Sequence, residues 1–174
     1  MREPPKSDAA GSLSREQLVQ RAYNAAVRLL GSRDHSVYEL TNKLALREHS
    51  ADAIQSAIEE LVELNYVNDA RYAQLYTEQR MSRGFGPLSV RSKLRQRGIA
   101  LHLIDAALAG FDVSWADLAQ AALEHRFDAG VINSREPRDV ARISRFLNAR
   151  GFSTGDALRA LTTARKQSAG KTSK

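Results

Sequence analysis

The chain has 174 residues, 43% of them hydrophobic and 26% charged, with a net charge of +6 and no cysteine. Such a length carries one or two ordinary domains, and the missing thiols exclude disulfides, thiolate metal sites and a cysteine nucleophile. The basic excess points to a polyanion or an acidic protein surface as partner, while no apolar run approaches the roughly 20 residues that a membrane span requires.

Residues 1–14, "MREPPKSDAAGSLS", are rich in Pro, Ser, Gly, Ala and charge and lack the apolar stretch of a signal peptide. They read as a flexible tail on a cytoplasmic protein that has no membrane partner. From residue 15 the apolar period is helical: Ala22, Ala25, Ala26, Leu29 and Leu30 recur at three- and four-residue steps, as do Ile54, Ala57, Ile58 and Leu61. Ser36 and Ser50 are placed to cap the second and third helices, and Asn68 or Asp69 the fourth. "GFGP" then stops that helix and starts another, because glycine suits a helix end and proline a first turn. Ser114 opens the next helix, "INSREP" breaks the chain, Ser153 begins the last helix, and "KQSAGKTSK" (166–174) reads as a second flexible tail. The total is about nine helices and no strand.

Nine resolves into three times three. A shift of fifty residues lays Leu40, Leu44, Arg47, Ser50, Ile54, Ala57 and Ile58 over Val90, Leu94, Arg97, Ala100, Ile104, Ala107 and Leu108. A further shift of fifty-three reaches Ile143, Leu147, Arg150, Ser153, Ala157, Ala160 and Leu161. The expected fold is therefore all-α: three tandem three-helix repeats (15–66, 67–112 and 113–165) in an elongated, curved array, since units this small bury little surface alone. One departure is visible. The first copy reads "LREHS" where the others have "RGI" and "RGF", so its turn is expected to differ.

The repeat serves as an internal control on charge. Between Gln79 and Ile104 stand Arg80, Arg83, Arg91, Lys93, Arg95 and Arg97, with no acid. Arg97 recurs as Arg47 and Arg150 at a helix end, where a cation meets the negative end of the helix dipole. Arg91 and Arg95 replace Thr41 and Ala45 of the first copy and Ser144 and Asn148 of the third, so these charges belong to the middle copy alone. Arg91/Arg95 and Lys93/Arg97 are i,i+4 pairs of like charge, each costing about 0.2–0.5 kcal/mol. Stability does not ask for them, and the run is expected to face phosphates or an acidic protein, with contacts sensitive to salt and insensitive to base sequence. Acids preceding it, seven between Arg47 and Glu78, are the alternative counter-charge.

Other chemistry is sparse. His35, His49, His102 and His125 are dispersed without metal-ligand spacing and are expected at the surface or partly buried, no segment fits a P-loop, and neither a metal, a cofactor nor catalysis is expected. Tyr66, Tyr72, Tyr76 and Phe85 are expected to serve packing before base stacking, and a helix-turn-helix reader is disfavoured because the cations flank the core stripe.

The blocks "SVYELTNKL", "LNYVNDARYAQLYTEQR", "GPLSVRSKLRQRGI" and "ISRFLNARGFSTGDALRAL" resemble the RecX family of bacterial recombinase regulators over roughly residues 22–165. Tyr66, Asp69, Arg71, Tyr72, Gly86, Pro87, Leu94 and Gly98 fit that family's motif in order, in largely structural roles. The resemblance implies a monomeric, non-catalytic, curved helical-repeat protein. It also implies that the protein lodges in the groove of the RecA recombinase filament on single-stranded DNA, inhibits ATP hydrolysis and strand exchange, and contacts single- and double-stranded DNA. A general architectural DNA-binding protein is the alternative.

Overall fold

The computed structural model describes residues 13–171, which form ten helices and no strand. They group into two compact units, one ending at Val67 and the other beginning at Asn68.

The first unit holds α1 (Arg15–Leu30), α2 (Val37–Ala45) and α3 (Ala51–Glu63). Reciprocal capping boxes, Ser14 with Gln17 and Ser36 with Glu39, start the first two helices by satisfying amides that have no partner within the helix. Ser14 thus belongs to α1, not to a tail; residues 1–12 lie outside the described residues. Helix α1 lies chiefly on α3, where Ala22, Ala53 and Ala57 let the two backbones approach, and α2 closes the core with Leu40 and Leu44, both fully buried. Burying each such leucine contributes about 1.5–3 kcal/mol.

The second unit repeats this scheme with α4 (Asp69–Ser82), α5 (Pro87–Gln96) and α6 (Leu101–Ala109), cored by Tyr72, Ala73, Val90, Leu94, Ile99 and Ile104. It continues with α7 (Trp115–Arg126), α8 (Ala129–Asn133), α9 (Pro137–Arg150) and α10 (Thr154–Lys171). In every repeat the first helix packs most extensively on the last.

Further sequence expectations change, among them the cap of α3: Ser50 stands at its start, but its side chain makes no capping hydrogen bond. The third repeat contains a fourth, one-turn helix, α8, capped by Asp128 and fastened at its carbonyl end by Arg165, whose guanidinium donates to the Ile132 and Ser134 carbonyls. Helix α10 runs on through residues 166–171, which the sequence had suggested were tail; Gln167 accepts a 2.7 Å hydrogen bond from Gln120 of α7 there. The turn after α2 is the same as the other two. The amides of Glu48 and His49, of Gly98 and Ile99, and of Gly151 and Phe152 bond back three and five residues, and the left-handed φ values are 61°, 75° and 87° at Glu48, Gly98 and Gly151. Glutamate holds a conformation that the other copies assign to glycine.

Within the second unit the second and third repeats meet backbone to backbone. The Gly86 and Leu88 amides donate to the carbonyls of Arg150 (2.9 Å) and Gly151 (3.0 Å). A Cβ at Gly86 would sit 2.4 Å from the Gly151 oxygen, and one at Gly151 would sit 2.3 Å from the Ser89 nitrogen, so the seam closes only without side chains.

Candidate functional site

Helix α5 begins at Pro87, after Gly86 at its N-cap, and buries Val90 and Leu94 completely. A 3.6-residue period then turns Leu88, Ser92 and Arg95 outward, and with Arg91 and Gln96 these line one shallow open hollow. The charges in it are unequal. Arg91 pairs with Asp105 on α6, an acid just beyond the stretch that looks uniformly basic in the sequence. Lys93 donates to the Gln96 side chain at 3.2 Å. Arg95 is exposed and has no ion-pair partner among the described residues.

Arg80 and Arg97 do not join this surface; they belong to a stack of cations and rings. The Arg97 guanidinium lies 4.6 Å from the Tyr76 ring centre, Arg80 is 6.0 Å from the same ring and 3.4 Å from Phe85, and Arg150 is 4.9 Å from Phe85 and 5.1 Å from Phe146. Each such contact is worth about 0.5–1 kcal/mol, more when water is excluded. Arg97 also donates to the Lys93 carbonyl, as its counterpart Arg47 does to Lys43, which satisfies the helix end as the repeat suggested. The third counterpart, Arg150, instead donates to the carbonyls of Arg83 and Gly84 and ties the third repeat to the second. The Arg83 side chain is exposed at the end of α4.

The motif residues lie mostly in structural roles. Asn68 caps α4 by accepting from the Arg71 amide at 2.9 Å, with Asp69 as the first helical residue, where its charge meets the positive helix end. Tyr72 is buried and stacks parallel to Tyr76 with ring centres 6.3 Å apart. Tyr66 departs from the core-packing role expected of it: the residue is 60% exposed. His35 is buried against the Arg33 carbonyl; burial holds its pKa below the ordinary value, although that hydrogen bond opposes the shift. No cluster of three His, Cys, Asp or Glu among the described residues could hold a metal, and no described helix is long and apolar enough to cross a membrane.

A basic hollow on the first repeat was not apparent in the sequence. Arg21, Asn24, Arg28 and Ser32 from α1 and its end converge on Arg47 and His49 from the turn after α2. Arg21 and Arg28 are seven residues apart, hence on one helix face, and that spacing is the signal available in the chain. Arg47 comes from a different element, which spacing does not reveal.

Comparison with known proteins places this arrangement. Residues 22–61 match the profile of the first three-helix domain of RecX, and residues 68–108 that of the second. The regulatory protein RecX of Halorhodospira halophila is 40% identical over 141 residues, covering 81% of this chain and 86% of that one. The RecX of Chromohalobacter salexigens is 40% identical over 127 residues, covering 73% and 82%. The crystal structure of RecX from Lactobacillus salivarius has a TM-score of 0.76 at 22% identity, covering 86% of this chain and 97% of that one.

Proposed function

The chain belongs to the RecX family, whose curated relatives are named regulatory proteins, and from that premise we propose that it binds the RecA recombinase filament on single-stranded DNA, suppressing ATP hydrolysis and strand exchange and so modulating recombination and DNA repair. It does so by binding, without catalysis of its own. The observation that carries the reading is helix α5. Its buried Val90 and Leu94 turn Arg91, Lys93 and Arg95 outward, at positions where the equivalent helices of the other repeats bear Thr41, Lys43 and Ala45 or Ser144, Phe146 and Asn148. Arg95 and Lys93 supply charge for phosphates or acidic side chains, Arg83 extends the surface, and Arg91 does so in competition with Asp105. Like charges at i,i+4 cost stability, and a bound polyanion repays that.

The Arg21–Arg28–Arg47 hollow favours a second reading, sequence-independent DNA binding with no obligatory protein partner. ATP hydrolysis by the cognate recombinase on single-stranded DNA separates the two. A filament-directed regulator inhibits at far less than one molecule per recombinase subunit. Inhibition that begins only when the protein matches the available DNA sites would leave competition for DNA and remove the regulatory reading.

A further inference from the structure

The groove between second and third helices has a different chemistry in each repeat. In the second repeat Arg91 and Asp105 bridge from α5 to α6. The corresponding residues of the first repeat, Thr41 and Gln55, form no bridge: Gln55 instead donates along α3 to Glu59 at 2.9 Å. In the third repeat they are Ser144 and Leu158. The first-repeat groove therefore stays open, a hollow of about 540 Å³ walled by Val37, Thr41 and Ala45 of α2, floored by the nearly buried Ile54 and Ile58 of α3, and ended by His49.

Its surroundings are acidic. Helix α3 carries Asp52, Glu59, Glu60 and Glu63 and no basic residue; Glu59 lines the groove, and Asp52, seven residues before it, shares its helix face. Exposed Tyr38 and Val62 add apolar surface on α2 and α3. An apolar floor bordered by Glu59 on a helix that bears four acids and no base disfavours a nucleic-acid backbone and complements aliphatic side chains flanked by Lys or Arg, which a basic amphipathic helix presents. We propose that this groove is a protein-docking site and that its occupant is a basic amphipathic segment of the recombinase subunit, so that the first repeat grips protein through its groove while the second supplies cations. The choice of partner rests on the regulatory reading above; the groove's preference does not.

The second repeat supplies the test. Thr41→Arg with Gln55→Asp transplants the Arg91–Asp105 bridge, closes the groove and leaves net charge unchanged, at two exposed positions outside the core. A fluorescent leucine–lysine amphipathic peptide should bind the native chain at least about tenfold more tightly than the double variant, and its leucine–glutamate analogue should not bind. Equal binding of the leucine–lysine peptide by both chains, or binding of the acidic analogue, overturns the site. Should the double variant fail to fold, Ala45→Arg on the same rim gives the same reading. With recombinase filaments, the double variant should need about tenfold more protein to inhibit ATP hydrolysis, while its affinity for single-stranded DNA alone is unchanged. Inhibition at the native concentration overturns the recombinase as occupant. Absence of inhibition by the native chain instead defeats the regulatory reading and the named partner, with the peptide result still deciding the groove.

Discussion

Helices α2 and α5 bury the same two positions, Leu40 and Leu44 in one and Val90 and Leu94 in the other, all with no exposed surface, and both end in the same left-handed turn. Their outer faces share the lysine at Lys43 and Lys93 and otherwise differ. One borders an apolar groove edged by Glu59, and the other carries Arg91 and Arg95 where the first has Thr41 and Ala45. The lesson is a division of labour within each repeat: two buried side chains and two turn hydrogen bonds specify the unit, and the remaining surface is free to take different partners. Cations obey the same division. Arg47 and Arg97, at equivalent positions, bond their own helix ends, whereas Arg95 has no equivalent cation and no ion-pair partner among the described residues.

The comparison breaks most severely where two repeats touch. Gly86→Ala or Gly151→Ala would drive a methyl group to within 2.3–2.4 Å of backbone atoms that cannot swing aside. Each should destabilise the second unit by about 2–4 kcal/mol, read as a lowered urea midpoint, while Gly31→Ala, where a Cβ meets nothing closer than 3.6 Å, should change little. A small effect at Gly151 would mean that the two repeats do not form the seam.

That seam also marks the limit of what the sequence carried. The core positions, the caps at Ser36, Asn68 and Ser114 and the threefold register all follow from local rules of periodicity and hydrogen bonding, and all are present. The contacts that redefine the basic surface are long-range. Arg150 reaching Arg83, Phe85 lying between Arg80 and Arg150, and Arg165 capping α8 join residues from different helices, and no period encodes such a meeting. Asp105 lay one residue past the stretch of uniform charge, yet the helical turn brings it to Arg91. Of the six cations read as one surface, the structure keeps Lys93 and Arg95 exposed and Arg91 half-buried on α5, leaves Arg83 exposed at the end of α4 and assigns Arg80 and Arg97 to the ring stack.

The two kinds of cation should separate in one experiment. Arg80→Ala removes a stacked guanidinium and should cost about 1–2 kcal/mol of stability, with the salt dependence of DNA binding by the folded fraction unchanged. Arg95→Gln should leave stability within about 0.5 kcal/mol and reduce the slope of log affinity against log salt by about 0.7 for single-stranded DNA, if the residue meets one phosphate. Arg91→Gln should have a weaker effect on the slope than Arg95→Gln, because Asp105 already offsets its charge. Equal slopes for Arg80 and Arg95 variants would erase the distinction between them.

The smallest effect concerns Glu48. A side chain in the left-handed region costs about 1–2 kcal/mol, and glycine relieves this at an entropic cost of about 0.5–1 kcal/mol. Glu48→Gly should therefore stabilise the first repeat by about 0.5–1 kcal/mol, bringing its turn to the composition of the turns at Gly98 and Gly151. Glu48 is also the one carboxylate lining the small hollow that Arg21 and Arg47 share with His49. Removing it leaves those guanidinium groups with less local counter-charge, so binding of single-stranded DNA should tighten slightly at low salt and by less at high salt. If stability rises and DNA affinity does not, the strained glutamate has no part in the charge of that hollow. If both rise, the first repeat holds a residue that weakens its turn and restrains its own arginines, a constraint that the glycines of the other two turns do not impose.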